Sequence, residues 1–174
     1  MAFATQLHQS LDRLDQRFED QPREQLTTEA ILNEYLREVE AAADCESLTS
    51  ILLLDEQGRH LAHCAAPSLP ASYCAGIDGS EIGPAEGSCG TAAFVGHSIY
   101  VTDIARDPLW IKFRELALSH GLRACWSTPI FDDAHALLGT FAIYYRSPRA
   151  PRADEVDAIN AISHRVAAAA HRYS

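Results

Sequence analysis

Chemistry in this chain concentrates in one short run, Gly87-Ser88-Cys89-Gly90-Thr91. A thiol between two glycines, flanked by two hydroxyls, can do two things. At the start of a helix its thiolate is favoured by the unpaired N–H groups and the dipole, which makes it reactive. The same N–H groups, reached closely because glycine carries no side chain, can hold an anionic or carbonyl group of a ligand. The other thiols are Cys45, Cys64, Cys74 and Cys125; the total of five is odd and no Cys-x-x-Cys pair occurs, so free thiols in a reducing compartment are expected. Histidines at 60 and 63 fall on one predicted strand and point to opposite faces, which is not metal-ligand spacing. His120 is the candidate for an axial haem ligand, weighed against a histidine favoured by the dipole at a helix C-terminus, and the second reading is preferred. No Gly-x-Ser-x-Gly elbow, phosphate-binding P-loop or carboxylate pair appears. No metal site is expected, and the cofactor, if one exists, is unknown.

The elements that must position this run can be read from periodicity. Leu7, Leu11, Leu14 and Phe18 draw a narrow apolar stripe along an N-terminal helix that Pro22 ends. A stripe of this kind resembles a coiled-coil seam and suggests self-association. A second helix starts at Thr27 or Thr28 and buries Ile31, Leu32, Tyr35, Leu36 and Val39. Thr49 to Leu54 and Arg59 to Ala65 form a hairpin around Asp55-Glu56-Gln57-Gly58. Pro67 and Pro70 open a short helix capped by Ser68. Ser88 is expected to cap a helix over Cys89 to Val95 that stops at Gly96. Ser98 to Val101 is a strand, and Asp107-Pro108 starts one continuous helix to Gly121. Ala124 to Phe131 and Leu137 to Tyr145 are strands joined by a glycine-free turn, which cannot be the tight Asn-Gly type. A last helix from about Ala153 carries the stripe Val156, Ile159, Ile162 and Val166.

Composition bounds the function. The 174 residues, 47% hydrophobic and 22% charged, are enough for one domain with its own core. A formal charge of -10 and scattered arginines argue against a nucleic-acid partner. No apolar run reaches membrane-spanning length and Met1 to Asp20 lacks a signal-peptide core, so a cytoplasmic location is expected. The predicted class is α+β, a central antiparallel sheet of about six strands with the terminal helices on one face and pocket-forming loops and short helices on the other.

Four blocks, taken together and in order, resemble the GAF domain family of bacterial signalling proteins. They are Ile82 to Ala93, Val101 to Trp110, His120 to Ile130 and Leu138 to Ala142. The resemblance implies a GAF/PAS-like fold in which the first block enters a ligand pocket. It implies an N-terminal signalling helix over residues 1–25 and the GAF domain over 26–172. The ligand-binding residues it implies are Ser88, Cys89, Gly90, Thr91, Trp110, Phe113, His120, Cys125 and Trp126. It further implies a homodimer through the N- and C-terminal helices and a downstream effector protein or domain. The chain ends at Ser174 soon after its last helix, which reads as a stand-alone regulator or a fragment of something longer.

One GAF branch, the free methionine-R-sulfoxide reductases, also carries a Gly-x-Cys-Gly-Thr-Ala segment like Gly87 to Ala92. That branch needs a cysteine just before the glycine segment and a catalytic one well after it. Asp78 to Ile82 and Asp107 to Phe113 contain none. The bilin-attachment Cys-His pair and the cyclic-nucleotide signature are absent too. The expectation is therefore a non-catalytic sensor of a small molecule, the alternatives being an interaction module without ligand and a reductase.

Overall fold

The computed structural model describes residues 2–43 and 45–173. Met1, the first residue of the predicted N-terminal segment, lies outside the described residues. The elements run α1 (Ala2–Glu19), α2 (Thr28–Ala42), β1 (Ser47–Leu54), β2 (His60–Ala65), α3 (Ala71–Ile77), β3 (Ser80–Glu81) and α4 (Gly87–Val95). They continue as β4 (Ile99–Val101), α5 (Arg114–Ser119), β5 (Ala124–Phe131), β6 (Leu137–Tyr145) and α6 (Ala153–Tyr173). The strands form a six-stranded sheet in the order β3-β2-β1-β6-β5-β4, with every pairing antiparallel.

Alternation along the central strands makes two different faces. Ile51, Trp126, Phe141, Ile143 and Tyr145 point to the side covered by α1, α2 and α6. Leu48, Leu52, Cys125, Ala142 and Tyr144 point to the side covered by α3, α4 and the segment through Trp110. The register pairs Trp126 with Ile143 and Cys125 with Tyr144, so both strands switch faces in step.

The N-terminal stripe is used inside the chain. Leu7, Leu11, Leu14 and Phe18 are buried in the same core as Ile31, Leu36, Ile162 and Val166. Arg165 of α6 reaches Asp12 at 2.7 Å and Asp15 at 2.9 Å on α1, which joins the two ends of the chain. The stripe that suggested a seam between subunits is thus already covered by α2 and α6.

Several local expectations change. Thr27 caps α2, its hydroxyl accepting from Ala30 N at 3.2 Å. Ser68 does not cap α3; its hydroxyl donates to Glu40 instead. The strand β3 carries two residues only, too short for any alternation to show in sequence. Asp107 is an N-cap, accepting from Leu109 N, but of a short 3₁₀ turn, Pro108–Trp110, and not of a continuous helix. Arg114 pins that turn by donating to Asp107 O at 2.7 Å and Ile104 O at 3.1 Å, and regular helix resumes only at Arg114. In the β5–β6 turn His135 takes a left-handed φ of 62°, the role a glycine would otherwise fill.

Candidate functional site

Helix α4 is built from small residues, and Gly87 through Ala93 are all buried. Small side chains let a helix lie close against a sheet. Here α4 rests on β5 and β6. Gly90 shows how close the packing is, because a Cβ there would stand 2.6 Å from Glu86 Cβ and 2.9 Å from Glu81 O. Gly87 begins the helix at a φ of 67°, a conformation that disfavours other residues. Ser88 is not the cap that the sequence suggested. It lies inside α4, where its hydroxyl donates to Cys125 O at 2.9 Å and accepts from Trp110 Nε1 at 3.0 Å. One side chain thereby holds helix, sheet and the Asp107 turn together.

Between α4, the sheet and the Trp110 turn is a cavity of about 30 Å³. Leu52 and Leu61 of the sheet, Tyr73 of α3, and Trp110 and Phe113 form its apolar wall, with Ser88, Cys89 and Gly90 along α4. Tyr73 donates to Tyr144 at 3.0 Å, with the rings edge-on at 5.5 Å. The volume exceeds the roughly 10–15 Å³ a water molecule needs. It is far below the several hundred Å³ of an open drug-sized pocket. Lys112 pairs with Glu86 at 3.0 Å beside the entrance.

The thiols behave differently from one another. A hydrogen bond from the Cys125 thiol draws the Cys89 pKa below the ordinary thiol range, against the cost of burial, with Ser127, Thr140 and Tyr144 adding to it. Burial pushes Cys125 well up, and so does its donation to Cys89. Burial likewise raises Cys74, Tyr73 and Tyr144.

A six-stranded antiparallel sheet with helices on both faces agrees with the sequence comparison. The profile of the GAF domain matches residues 25–171. The chain belongs to the GAF domain family. It is 39% identical over 102 residues to a methyl sulfide methyltransferase-associated sensor from Methanosarcina acetivorans, a match covering 59% of this chain and 10% of that protein. The chain thus spans about a tenth of the relative it matches. Among solved structures it resembles the GAF domain of a phosphoenolpyruvate-protein phosphotransferase from Coxiella burnetii. That likeness has a TM-score of 0.73 at 17% identity, over 97% of this chain and 95% of the other. It also resembles free methionine-R-sulfoxide reductase from Neisseria meningitidis in complex with its substrate, at a TM-score of 0.68 and 17% identity over 98% and 93% of the two chains. At such identity the likeness is one of fold alone.

Within this GAF domain, Ser88, Cys89, Gly90, Trp110 and Phe113 come together around the cavity. Thr91 does not line it; its hydroxyl accepts from Glu86 N at 3.1 Å and ties down the start of α4. His120 stands beside Tyr73, the rings edge-on at 5.7 Å, with Nε2 2.7 Å from Ser72 Oγ and Nδ1 2.8 Å from Leu116 O. Cys125 does not line the cavity and is wholly buried on the same face of the sheet. Trp126 is on the opposite face of the sheet. It packs at 4.7 Å on Tyr145 under the Arg149 guanidinium and donates to Arg149 O at 2.9 Å. The reason is strand alternation: in an extended segment Cys125 and Trp126 cannot face the same side. Tyr73, Tyr144, Leu52 and Leu61 were not foreseen as lining. Tyr144 was accessible in principle, since it shares a sheet face with Cys125 through Thr140 and Ala142.

Proposed function

We propose that this GAF domain is a cytoplasmic sensor that binds a small molecule in the cavity beneath α4 and passes the change to its terminal helices. The observation that carries this reading is the cavity itself, walled by Trp110, Phe113 and the Gly87–Gly90 segment, the run that the family resemblance implies at a ligand pocket. A ligand larger than the present 30 Å³ requires Phe113 and its neighbours to move outward. Phe113 is only half-buried and Ile111 beside it is 71% exposed, so this wall is the one able to give. Movement there reaches α4 through the Ser88–Trp110 bond and then β5 and β6. The far face of those strands carries the α1, α2 and α6 core, whose packing is the output. A ligand shifts that packing only to the extent that it binds one arrangement better than the other.

The output also includes a homodimer and a downstream effector. With the apolar stripe of α1 covered, pairing between subunits falls to outward polar residues such as Gln9, Arg13 and Gln16. No helix among the described residues is long and apolar enough to cross a membrane.

Native mass spectrometry of gently purified protein, with an absorbance spectrum of the same sample, tests this reading. The expected result is a dimer carrying a co-purified mass, or an apo dimer whose melting temperature rises with one class in a metabolite screen. Protein without bound mass or visible absorbance, unmoved by every metabolite, would reduce the domain to an interaction module. An assay with free methionine-R-sulfoxide and a thiol reductant is expected to show no turnover.

A further inference from the structure

We propose that Cys89 and Cys125 form a reversible oxidation site, in which a hydroperoxide entering the cavity joins the two sulfurs as a disulfide. Three observations carry it. Cys89 on α4 and Cys125 on β5 are buried in one cluster on the same face of the sheet, and each thiol shifts the pKa of the other. The 2.9 Å bond from Ser88 Oγ to Cys125 O pins the residue before Cys89 to the Cys125 backbone, and a disulfide closes between such segments when their Cα atoms come within about 7 Å. Second, Ser127 Oγ and Thr140 Oγ1 are fully buried and make no hydrogen bond of ordinary geometry. Both hydroxyls lower the pKa of the Cys89 thiol. Buried hydroxyls without partners cost stability, so their retention on this face of the sheet calls for a reason. Stabilising a thiolate there is such a reason. Third, Cys89 lines the cavity while Cys125 does not and is wholly buried. A cavity of 30 Å³ is too small for most metabolites yet admits a molecule of two heavy atoms.

The chemistry balances with the hydroperoxide as oxidant. The Cys89 thiolate attacks the peroxide oxygen, an S–O bond forms, the O–O bond breaks, and the leaving oxygen departs protonated as water or an alcohol. The Cys125 sulfur then attacks Cys89 Sγ, the S–S bond forms, and the S–O bond breaks. Hydroxide leaves as water with the proton that Cys125 gives up. Two electrons pass from the two thiols to the peroxide. The product clamps α4 to β5 and fixes the wall that the sensor reading above requires to move; only this consequence rests on that reading.

The test uses the full chain carrying Cys45→Ser, because Cys45 is exposed and would react first. After hydrogen peroxide, the intact mass should fall by two hydrogens and a digest should contain one peptide pair joined through Cys89 and Cys125. Dithiothreitol should reverse both. Adding Cys125→Ala should leave Cys89 as a sulfenic acid that dimedone labels, and Cys89→Ser should abolish both products. Labelling at Cys64 or Cys74 with Cys89 untouched would overturn the proposal. So would oxidation of Cys89 without a link to Cys125. All readouts come from the protein's own mass, so they fail or succeed independently of ligand binding. A domain that retains a metabolite yet shows no cross-link keeps the sensor reading and loses this one.

Discussion

The two faces of the sheet are packed by different rules. On the helix side, Trp126, Tyr145 and Phe141 meet leucines and isoleucines from α1, α2 and α6 in one continuous apolar core. Arg149 closes its edge, 4.6 Å above the Tyr145 ring and 2.8 Å from Glu155. On the loop side, α4 brings glycine, serine, cysteine, threonine and alanine against the sheet. Beneath it Ser50, Ser127 and Thr140 carry buried hydroxyls without partners. The first face is built to hold the fold together. The second gives up packing and hydrogen bonding for a cavity lined by the Cys89 thiol, as sites of function commonly do.

Truncation is the strongest way to break that comparison. Leu11→Ala and Trp126→Ala on the helix side should each cost about 2–5 kcal/mol, from lost burial plus the void left behind. Urea unfolding would show this as a lower midpoint, and ligand retention should survive in whatever fraction remains folded. A midpoint unchanged by Leu11→Ala would mean that α1 is loosely attached and free to form a seam with another chain.

The terminal helices, both hairpins and the α+β class were legible because they rest on periodicity, which is a property of each residue's own neighbours. The site was legible only in part. Ser88, Cys89, Gly90, Trp110 and Phe113 follow from the glycine run and the Asp107-Pro108 signal. Trp126 comes with Cys125 in the block His120 to Ile130 that resembles the family, whereas the face it occupies is decided by register one residue from Cys125. Tyr73 reaches the cavity from α3, whose contact with the site is tertiary and leaves no local mark. The same holds for the meeting of Cys89 and Cys125, which were judged by their distance in sequence from the reductase positions and not by what α4 packs upon.

Gly90→Ala is the next perturbation in size. The new methyl would meet Glu86 Cβ and Glu81 O at under 3 Å. Overpacking of this kind costs about 1–3 kcal/mol. Because α4 must lift to relieve it, loss of ligand or of peroxide sensitivity should exceed what the drop in stability alone explains. Equal loss of both in proportion to unfolding would make the glycine purely structural.

Thiol titration separates the faces without changing their packing. Cys64, on the helix side, has its pKa raised, chiefly by burial. Cys89 has its pKa lowered by the Cys125 hydrogen bond. The reactive thiolate appears as pH rises through the pKa, so iodoacetamide labelling of Cys89 should level off at lower pH than labelling of Cys64. The sign for stability follows from linkage: a depressed folded-state pKa contributes stability above the ordinary thiol value, lost as pH falls through the folded one. Peptide-resolved labelling between pH 6 and pH 10 would show two separated midpoints. Coincident midpoints would deny Cys89 its special environment.

Thr140→Val should have the smallest effect on stability and the most informative one. Its hydroxyl is fully buried and makes no ordinary hydrogen bond. Valine keeps the shape, so removing the unpaired group should change stability by less than about 1 kcal/mol or raise it slightly. The same change removes one of the hydroxyls that lower the Cys89 pKa, so its thiolate should form at higher pH and its oxidation should slow. A residue kept for the fold would behave the other way round, with stability falling and the thiol unaffected. Thermal melts and peroxide kinetics on one variant therefore decide whether the polar seam under α4 serves packing or the chemistry of Cys89.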